Sequence, residues 1–136
     1  MNEEIISANE IIYAKIYRNS QWPKNLNFYT KDEDFIQVST WNYDNGKHLK
    51  AHKHKVVDRV ANKTQEVIFV KTGRLKAFFY EEDNRLICSK ILESGDFAII
   101  FSGGHAYDVL EDATQIFEIK NGPYLGIEID KELIEQ

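Results

Sequence analysis

The chain has 136 residues, the length of one ordinary domain. Its hydrophobic fraction of 43% and aromatic fraction of 12% are enough for a core, which excludes disorder as a description of the whole chain. The formal net charge is −5 and no dense Lys/Arg cluster offsets it, so we expect no nucleic-acid partner. The longest apolar runs, such as 97–101, are too short to cross a bilayer, so we expect no membrane partner.

The cysteine content and the first residues bear on the cellular compartment. Residues 1–4 lack the basic start of a secretory signal, and Cys88 is the only cysteine. An intrachain disulfide is therefore impossible, which is typical of proteins from a reducing compartment. We expect a cytoplasmic protein in which Cys88 is a small buried hydrophobe rather than a nucleophile.

Short runs rich in Val, Ile, Phe, Tyr and Thr alternate with turn residues along the chain. Taken in order, the predicted strands are 11–17, 35–43, 47–54, 65–71, 74–80, 86–92, 97–101, 106–110 and 114–120. Residues 21–25 have the composition of a loop, and 130–136 either form a short helix or fray. Many short strands separated by turns predict an all-β sandwich or barrel.

Three of the four histidines fall into one arrangement with a glutamate: His52, His54, Glu66 and His105. His52 and His54 are two residues apart, so on a strand their side chains share one face. Imidazole and carboxylate are usual ligands of borderline transition metals, so the pattern predicts a divalent metal site. The alternative is a pair of solvated histidines on an exposed strand. We expect His48 to be no direct ligand.

The spacing of these residues resembles the two motifs of the cupin superfamily. The residues that carry the resemblance are Gly46, His52, His54, Glu66 and Gly73 in the first motif, and Gly95, Gly103 and His105 in the second. The resemblance implies a double-stranded β-helix, or jelly-roll barrel, over about 35–124, with short N-terminal strands added and one domain over 1–136. It also implies that His52, His54, Glu66 and His105 bind Fe, Mn, Ni, Co or Zn.

The chain departs from the cupin pattern in three places. Eleven residues separate His54 from Glu66, more than in the family, and this predicts an extended hairpin over 55–65 beside the site. Phe101 stands where the second motif has proline, and His105 comes one residue early. The match of His105 to the fourth ligand is therefore looser than that of the other three.

A narrower resemblance bears on function. The stretches 64–73, 91–96, 102–105 and 120–124 are similar to small bacterial cupins found among sugar-nucleotide and surface-polysaccharide biosynthesis proteins. This implies a metal-dependent isomerase, epimerase or lyase that acts on a sugar, a sugar nucleotide or a small oxygenated acid. An Fe(II)-dependent dioxygenase and a non-catalytic sugar or nucleotide-sugar binding module are the alternatives.

Further residues are candidates for catalysis and substrate binding. Tyr107 shares a strand face with His105, and Glu118 shares one with Lys120, so Tyr107 or Glu118 is a candidate acid or base. Arg59 and Lys120 are candidates for binding an acidic or oxygenated substrate group. The alternatives are packing for Tyr107, an outward ion pair for Glu118 and Lys120, and simple solvation for Arg59.

The predicted strand 74–80 carries apolar side chains on both faces. A strand with two apolar faces is covered on both sides, and a second copy of the chain is one way to cover it. Dimers are also common in the family that the chain resembles. We therefore expect a homodimer, and we expect Trp22 and Trp41 to lie in the core or at an interface.

Overall fold

The computed structural model describes residues 3–135, which contain ten β-strands and one short helix. The strands are β1 (Glu3–Ala8), β2 (Ile11–Tyr17), β3 (Asn25–Phe28), β4 (Ser39–Asn42), β5 (Glu66–Thr72), β6 (Arg74–Tyr80), β7 (Leu86–Glu93), β8 (Phe97–Ile100), β9 (Gly104–Val109) and β10 (Gln115–Lys120). The helix α1 is Ile127–Asp130. The prediction of an all-β fold is confirmed.

Hydrogen bonds join the strands into three antiparallel sheets. A five-stranded sheet has the order β1-β2-β8-β5-β10, a three-stranded sheet has the order β7-β6-β9, and β3 and β4 form a hairpin. No ladder links the two larger sheets within residues 3–135, so the described chain is a sandwich and no closed barrel is found.

The main core lies between the five-stranded and three-stranded sheets. In β6, Leu75, Ala77 and Phe79 are buried, and they alternate with residues on the outer face. In β5, Ile68 and Val70 face them from the other sheet. Each large side chain removed from water in this layer contributes about 1.5–3 kcal/mol. The alternation of buried and partly exposed side chains along these strands therefore determines which face of each sheet is internal.

A second, smaller core covers the other face of the five-stranded sheet. Its buried members are Tyr17, Val67, Phe97, Ile99 and Phe101, and residues from the 29–38 segment pack against them. Because β8 is buried on both faces, all four of its residues are apolar.

The end of the sandwich at the start of β8 is closed by a buried carboxylate. Asp96 is 4% exposed and accepts hydrogen bonds from Arg18 Nη1 at 3.0 Å, the Asn19 amide at 2.6 Å and the Glu93 amide at 2.8 Å. Arg18 also pairs with Glu4 of β1. These bonds satisfy the buried charge and join β1, β2 and the β7–β8 turn.

The structure contradicts two local predictions. Residues 47–54 form no strand, and residues 55–65 form no hairpin. Residues 44–63, which we call the arm, have no regular secondary structure and are all exposed. A strand needs a hydrogen-bonded neighbour, and the described chain supplies none for the arm, so its local β propensity is not realised.

The ends of the chain differ modestly from expectation. The N-terminal strand additions are present as β1 and β2, while β3 begins at the end of the predicted loop 21–25. The helix ends where the predicted 130–136 segment begins, and residues 1–2 and 136 lie outside the described residues. Within the described part, no helix is long and apolar enough to cross a membrane.

The core predicts a clear contrast between two phenylalanines. Phe79→Ala empties a fully buried site and should lower the free energy of unfolding by about 3–5 kcal/mol. Phe117→Ala, at a side chain that is 61% exposed, should change it far less. Urea unfolding followed by circular dichroism measures both, and equal losses would contradict the assigned core.

Candidate functional site

The end of the sandwich opposite Asp96 is bordered by β9 and β10. Within the described residues each has one hydrogen-bonded neighbour, β6 for β9 and β5 for β10, so each is the edge of its sheet. The polar side chains that point between the sheets here are Glu66, His105, Tyr107, Glu118 and Lys120. We call these five residues the Glu66 cluster.

Glu66 and His105 form the closest contact of the cluster. His105 Nε2 lies 3.0 Å from Glu66 Oε1, and the Glu66 side chain is 8% exposed while that of His105 is 31% exposed. The carboxylate is therefore sheltered from water and the imidazole reaches solvent. A hydrogen bond through Nε2 makes Nδ1 the basic atom of the neutral ring.

Tyr107 adds a second donor to the same oxygen. Its hydroxyl donates to Glu66 Oε1 at 3.2 Å, and its ring centroid is 5.2 Å from that of His105. Tyr107 also packs against the main core, so the bond joins a rigid side chain of one sheet to the other sheet. Both donors come from β9 and the acceptor comes from β5.

The cluster shifts the pKa values of two of its members. Burial acts to raise the pKa of Glu66, but the hydrogen bond and charge of His105, the Tyr107 hydroxyl and the charge of Lys120 outweigh it and hold that pKa below its usual range. Burial, followed by the charge of Glu66 and the hydrogen bond to it, raises the pKa of Tyr107. Near neutral pH, Glu66 is an acceptor and Tyr107 is a donor.

Glu118 and Lys120 complete the cluster from the edge strand β10. Lys120 pairs with Glu66 in the strand register, and Lys120 Nζ lies 3.5 Å from Glu118 Oε1. The ammonium also lies 5.6 Å from the ring centroid of Tyr124. The side chains of Lys120 and Glu118 are 31% and 49% exposed, so this pair lines the solvent side of the cluster.

Local sequence explains why His105 is held at this position. Gly103 has φ +75° in the turn before β9, and a Cβ there would lie 2.1 Å from the Tyr80 carbonyl oxygen. Glycine is the residue that fits such a turn, and it brings β9 into register with β6 so that His105 pairs with Phe79. The inward parity of Phe79 then makes His105 inward too.

The structure brings five of the predicted site residues together and leaves three apart. His52, His54 and Arg59 lie in the exposed arm rather than on a strand, so the shared strand face expected for His52 and His54 is absent. Their rings are 5.3 Å apart, and His52 Nδ1 lies 3.1 Å from the Lys50 carbonyl oxygen.

The donors that converge in one chain are fewer than the implied metal site requires. Across residues 3–135, no group of three or more His, Cys, Asp or Glu side chains is placed to hold a metal ion. One imidazole and one carboxylate converge at Glu66 and His105, and a closed coordination shell needs more donors than these. The single described chain does not fit the four-ligand site.

Sequence reasoning missed two features. One is the bond that makes Glu66 a partner of Tyr107, which residue spacing does not reveal because the two strands belong to different sheets. The other is a surface groove of about 310 Å³ lined by Trp22 and Trp41, which are 39% and 57% exposed rather than part of the core. No residue of the Glu66 cluster lines that groove.

The chain was compared with protein-family models, curated proteins and solved structures. No protein-family model matches the chain, and neither the curated proteins nor the solved structures contain a match.

The lowered pKa of Glu66 predicts a pH-dependent stability in metal-free protein. The folded pKa lies below the ordinary value of 4.5, so the stabilising contribution is fully present above pH 4.5 and is lost as the pH falls through the folded pKa. Glu66→Gln should remove this part of the pH dependence, as measured by urea unfolding between about pH 3 and 7. Exposed Glu118→Gln is the matched control, and an unchanged slope in Glu66→Gln would contradict the assignment.

Proposed function

We propose that the chain is an isomerase or epimerase that moves a proton beside a carbonyl group in a sugar, a sugar nucleotide or a small oxygenated acid. The observation that carries this proposal is the sheltered Glu66 carboxylate, which accepts from both His105 and Tyr107 at an open edge of the sandwich. An imidazole base that is hydrogen-bonded to a carboxylate, with a neutral hydrogen-bond donor beside it, can abstract a proton from a substrate and return it.

In this proposal His105 is the proton carrier. Glu66 holds Nε2–H, so Nδ1 takes the proton from the carbon next to the carbonyl group. The electron pair of the broken C–H bond forms an enediolate, and a hydroxyl proton passes between its two oxygens. The imidazolium, whose proton exchanges with solvent, then delivers a proton to the neighbouring carbon for isomerisation, or to the other face of the first carbon once the enediolate has turned over. Glu66 stays ionised and stabilises the imidazolium while it carries the proton.

Tyr107 and Lys120 act on the developing oxyanion. The raised pKa of Tyr107 keeps its hydroxyl protonated, so it serves as a donor rather than as a base. Lys120 brings a positive charge from β10, and Glu118 holds it at 3.5 Å. Glu118 remains the alternative base. Because its side chain is exposed, its position is held less firmly than that of His105, which Glu66 orients.

We further infer that the sandwich is a jelly roll of the cupin type that is open between β9 and β10. Two facing antiparallel sheets, Glu66 at the start of one strand and His105 on a strand of the other are the features in favour. The arm holds the remaining motif histidines, and Arg59 there is a candidate for binding a substrate phosphate or carboxylate.

Solvent exchange at carbon tests the proposal across a panel of candidate substrates. Aldoses, ketoses and their nucleoside-diphosphate conjugates are incubated in D₂O and followed by NMR for isomerisation and deuterium uptake. His105→Gln should slow the reaction by about 10²- to 10⁴-fold, because it removes the base and keeps a polar side chain. His48→Gln is the matched control on the exposed arm. Equal rates for His105→Gln and the wild type would rule out this role.

A divalent transition metal at the same cluster is the second proposal. It is supported by the convergence of His105 Nε2 and Glu66 Oε1, a nitrogen and an oxygen donor that suit Fe, Mn, Ni, Co or Zn. Bound there, such an ion would act as a Lewis acid toward a carbonyl oxygen. An Fe(II)-dependent dioxygenase needs this ion and would consume O₂, whereas a sugar-binding module would return its ligand unchanged.

Metal analysis of purified protein tests the second proposal. The wild type should carry about one equivalent of metal for each chain, and Glu66→Gln should lose most of it. His52→Ala/His54→Ala should do the same, because the cupin resemblance implies that these two histidines are further ligands of the ion. His48→Ala is the control for removal of an arm histidine and should retain the metal. Equal metal content in all four proteins would contradict the ligand set.

A further inference from the structure

The arm is unusual because no part of the described chain, residues 3–135, buries it. All twenty residues of 44–63 are exposed, and Val56 and Val60 are 102% and 83% exposed. A loop of this length without secondary structure is uncommon inside a domain and is usually either functional or a linker. Exposed valines that lie close together in the chain can form an apolar patch, and large exposed apolar patches mark surfaces that pack against another molecule.

Both ends of the arm are anchored in the body of the chain. On one side, the Asn42 side chain donates to the Trp22 carbonyl oxygen at 2.7 Å. On the other, Gln65 is buried and its amide donates to Asn121 Oδ1 at 2.7 Å. Twenty extended residues span at most about 66 Å, so an arm held at both ends can project roughly 30 Å from the body.

Charge separates the arm from the rest of the molecule. The arm holds six Lys or Arg residues against two Asp residues, a net charge of +4, so the remainder of the chain carries −9 of the total of −5. The arm is thus complementary in charge to the body of the same protein. A second copy of this chain offers that acidic body.

The open edge beside the Glu66 cluster offers a place for the arm. β9 and β10 each have one paired side within the described residues, so each leaves a row of backbone groups available for another strand. If residues 47–54 add to this edge as a strand, their backbone groups form hydrogen bonds with it, and the segment adopts the strand that its sequence favours. Its alternate side chains, His52 and His54, would then face the cluster.

We propose that two copies of the chain exchange arms, and that His52 and His54 of one copy complete the Glu66–His105 site of the other. This inference rests on the proposed function, because that function places the reaction at the Glu66 cluster. It explains together the missing donors in the single chain, the exposed valines and the unpaired strand edges. Docking onto its own body would have buried Val56 and Val60 in the single chain, and they are exposed.

Disulfide trapping tests the exchange without use of metal or activity. In a Cys88→Ala background, chains with His54→Cys and chains with His105→Cys are unfolded, refolded together and oxidised with oxidised glutathione. The expected product on a non-reducing denaturing gel is a covalent pair of twice 15.9 kDa that disappears on reduction. Each single variant alone should give little of it, and His48→Cys, about 20 Å away along an extended arm, should not replace His54→Cys.

A chain that carries both cysteines separates exchange from self-docking. Covalent pairs support exchange, whereas a disulfide within one chain, or none at all, overturns it.

Light scattering gives a second measure: the wild type should be a dimer, and Val56→Asp/Val60→Asp should shift it to a folded monomer. Leu133→Asp, at another exposed apolar site, is the control and should remain dimeric. A monomeric wild type would overturn the proposal and direct attention to a different acidic partner for the arm.

The two proposals fail in distinguishable ways. Trapped pairs without isomerisation would leave arm exchange in place and remove the proposed reaction. Isomerisation by a protein whose two cysteines join within one chain would keep the reaction and remove the exchange.

Discussion

The carboxylate of Glu66 is the contact on which the open end of the sandwich depends. A buried charge is costly unless hydrogen bonds satisfy it, and here both donors come from the opposite sheet. The bonds to His105 and Tyr107 therefore do two things. They hold β9 of the three-stranded sheet against β5 of the five-stranded sheet, and they orient the imidazole that reaches solvent. The stabilising contacts between the sheets and the proposed chemistry share one acceptor atom, Glu66 Oε1.

The two ends of the sandwich use buried carboxylates differently. Asp96 accepts from a guanidinium and two backbone amides, which belong to Arg18 and Asn19 directly after β2 and to Glu93 at the end of β7. Backbone amides neither titrate nor exchange protons at useful rates near neutral pH, so that end is structural. Glu66 is bound instead by an imidazole and a phenol, which are groups that can give or take a proton. The difference in donors, rather than in burial, is the reason for which we place the proposed chemistry at the Glu66 end.

Strand parity predicts more of the site than the histidine motif does. The alternation of β9 and β10 puts Tyr107 on the face of His105 and Glu118 on the face of Lys120. The structure brings His105, Tyr107 and Lys120 to Glu66, with Glu118 beside Lys120. Parity works where buried neighbours determine which face of a strand is internal, as they do in β5 and β6.

The same rule fails for 47–54, because His52 and His54 have a common face only if a neighbouring strand fixes one. Local propensity identifies a segment that is able to pair, and it contains no information on which chain supplies the partner. The Glu66–Tyr107 bond is likewise beyond the reach of sequence spacing, since it depends on how two separate sheets meet.

The arm and the cluster are each incomplete in a complementary way. The cluster has a sheltered oxygen and an imidazole but lacks further nitrogen donors, and the arm has two imidazoles 5.3 Å apart with no carboxylate partner of their own among the described residues. The cluster lies beside unpaired strand edges, and the arm is an unpaired segment with exposed valines. The body is acidic and the arm is basic.

Three independent properties, namely donor type, backbone pairing and charge, thus point to the same contact. An arm from a second copy would satisfy all three at once, so under the proposed exchange dimerisation and the delivery of His52 and His54 to the Glu66 cluster would be one event, and a dilute monomer would lack those two histidines at the cluster.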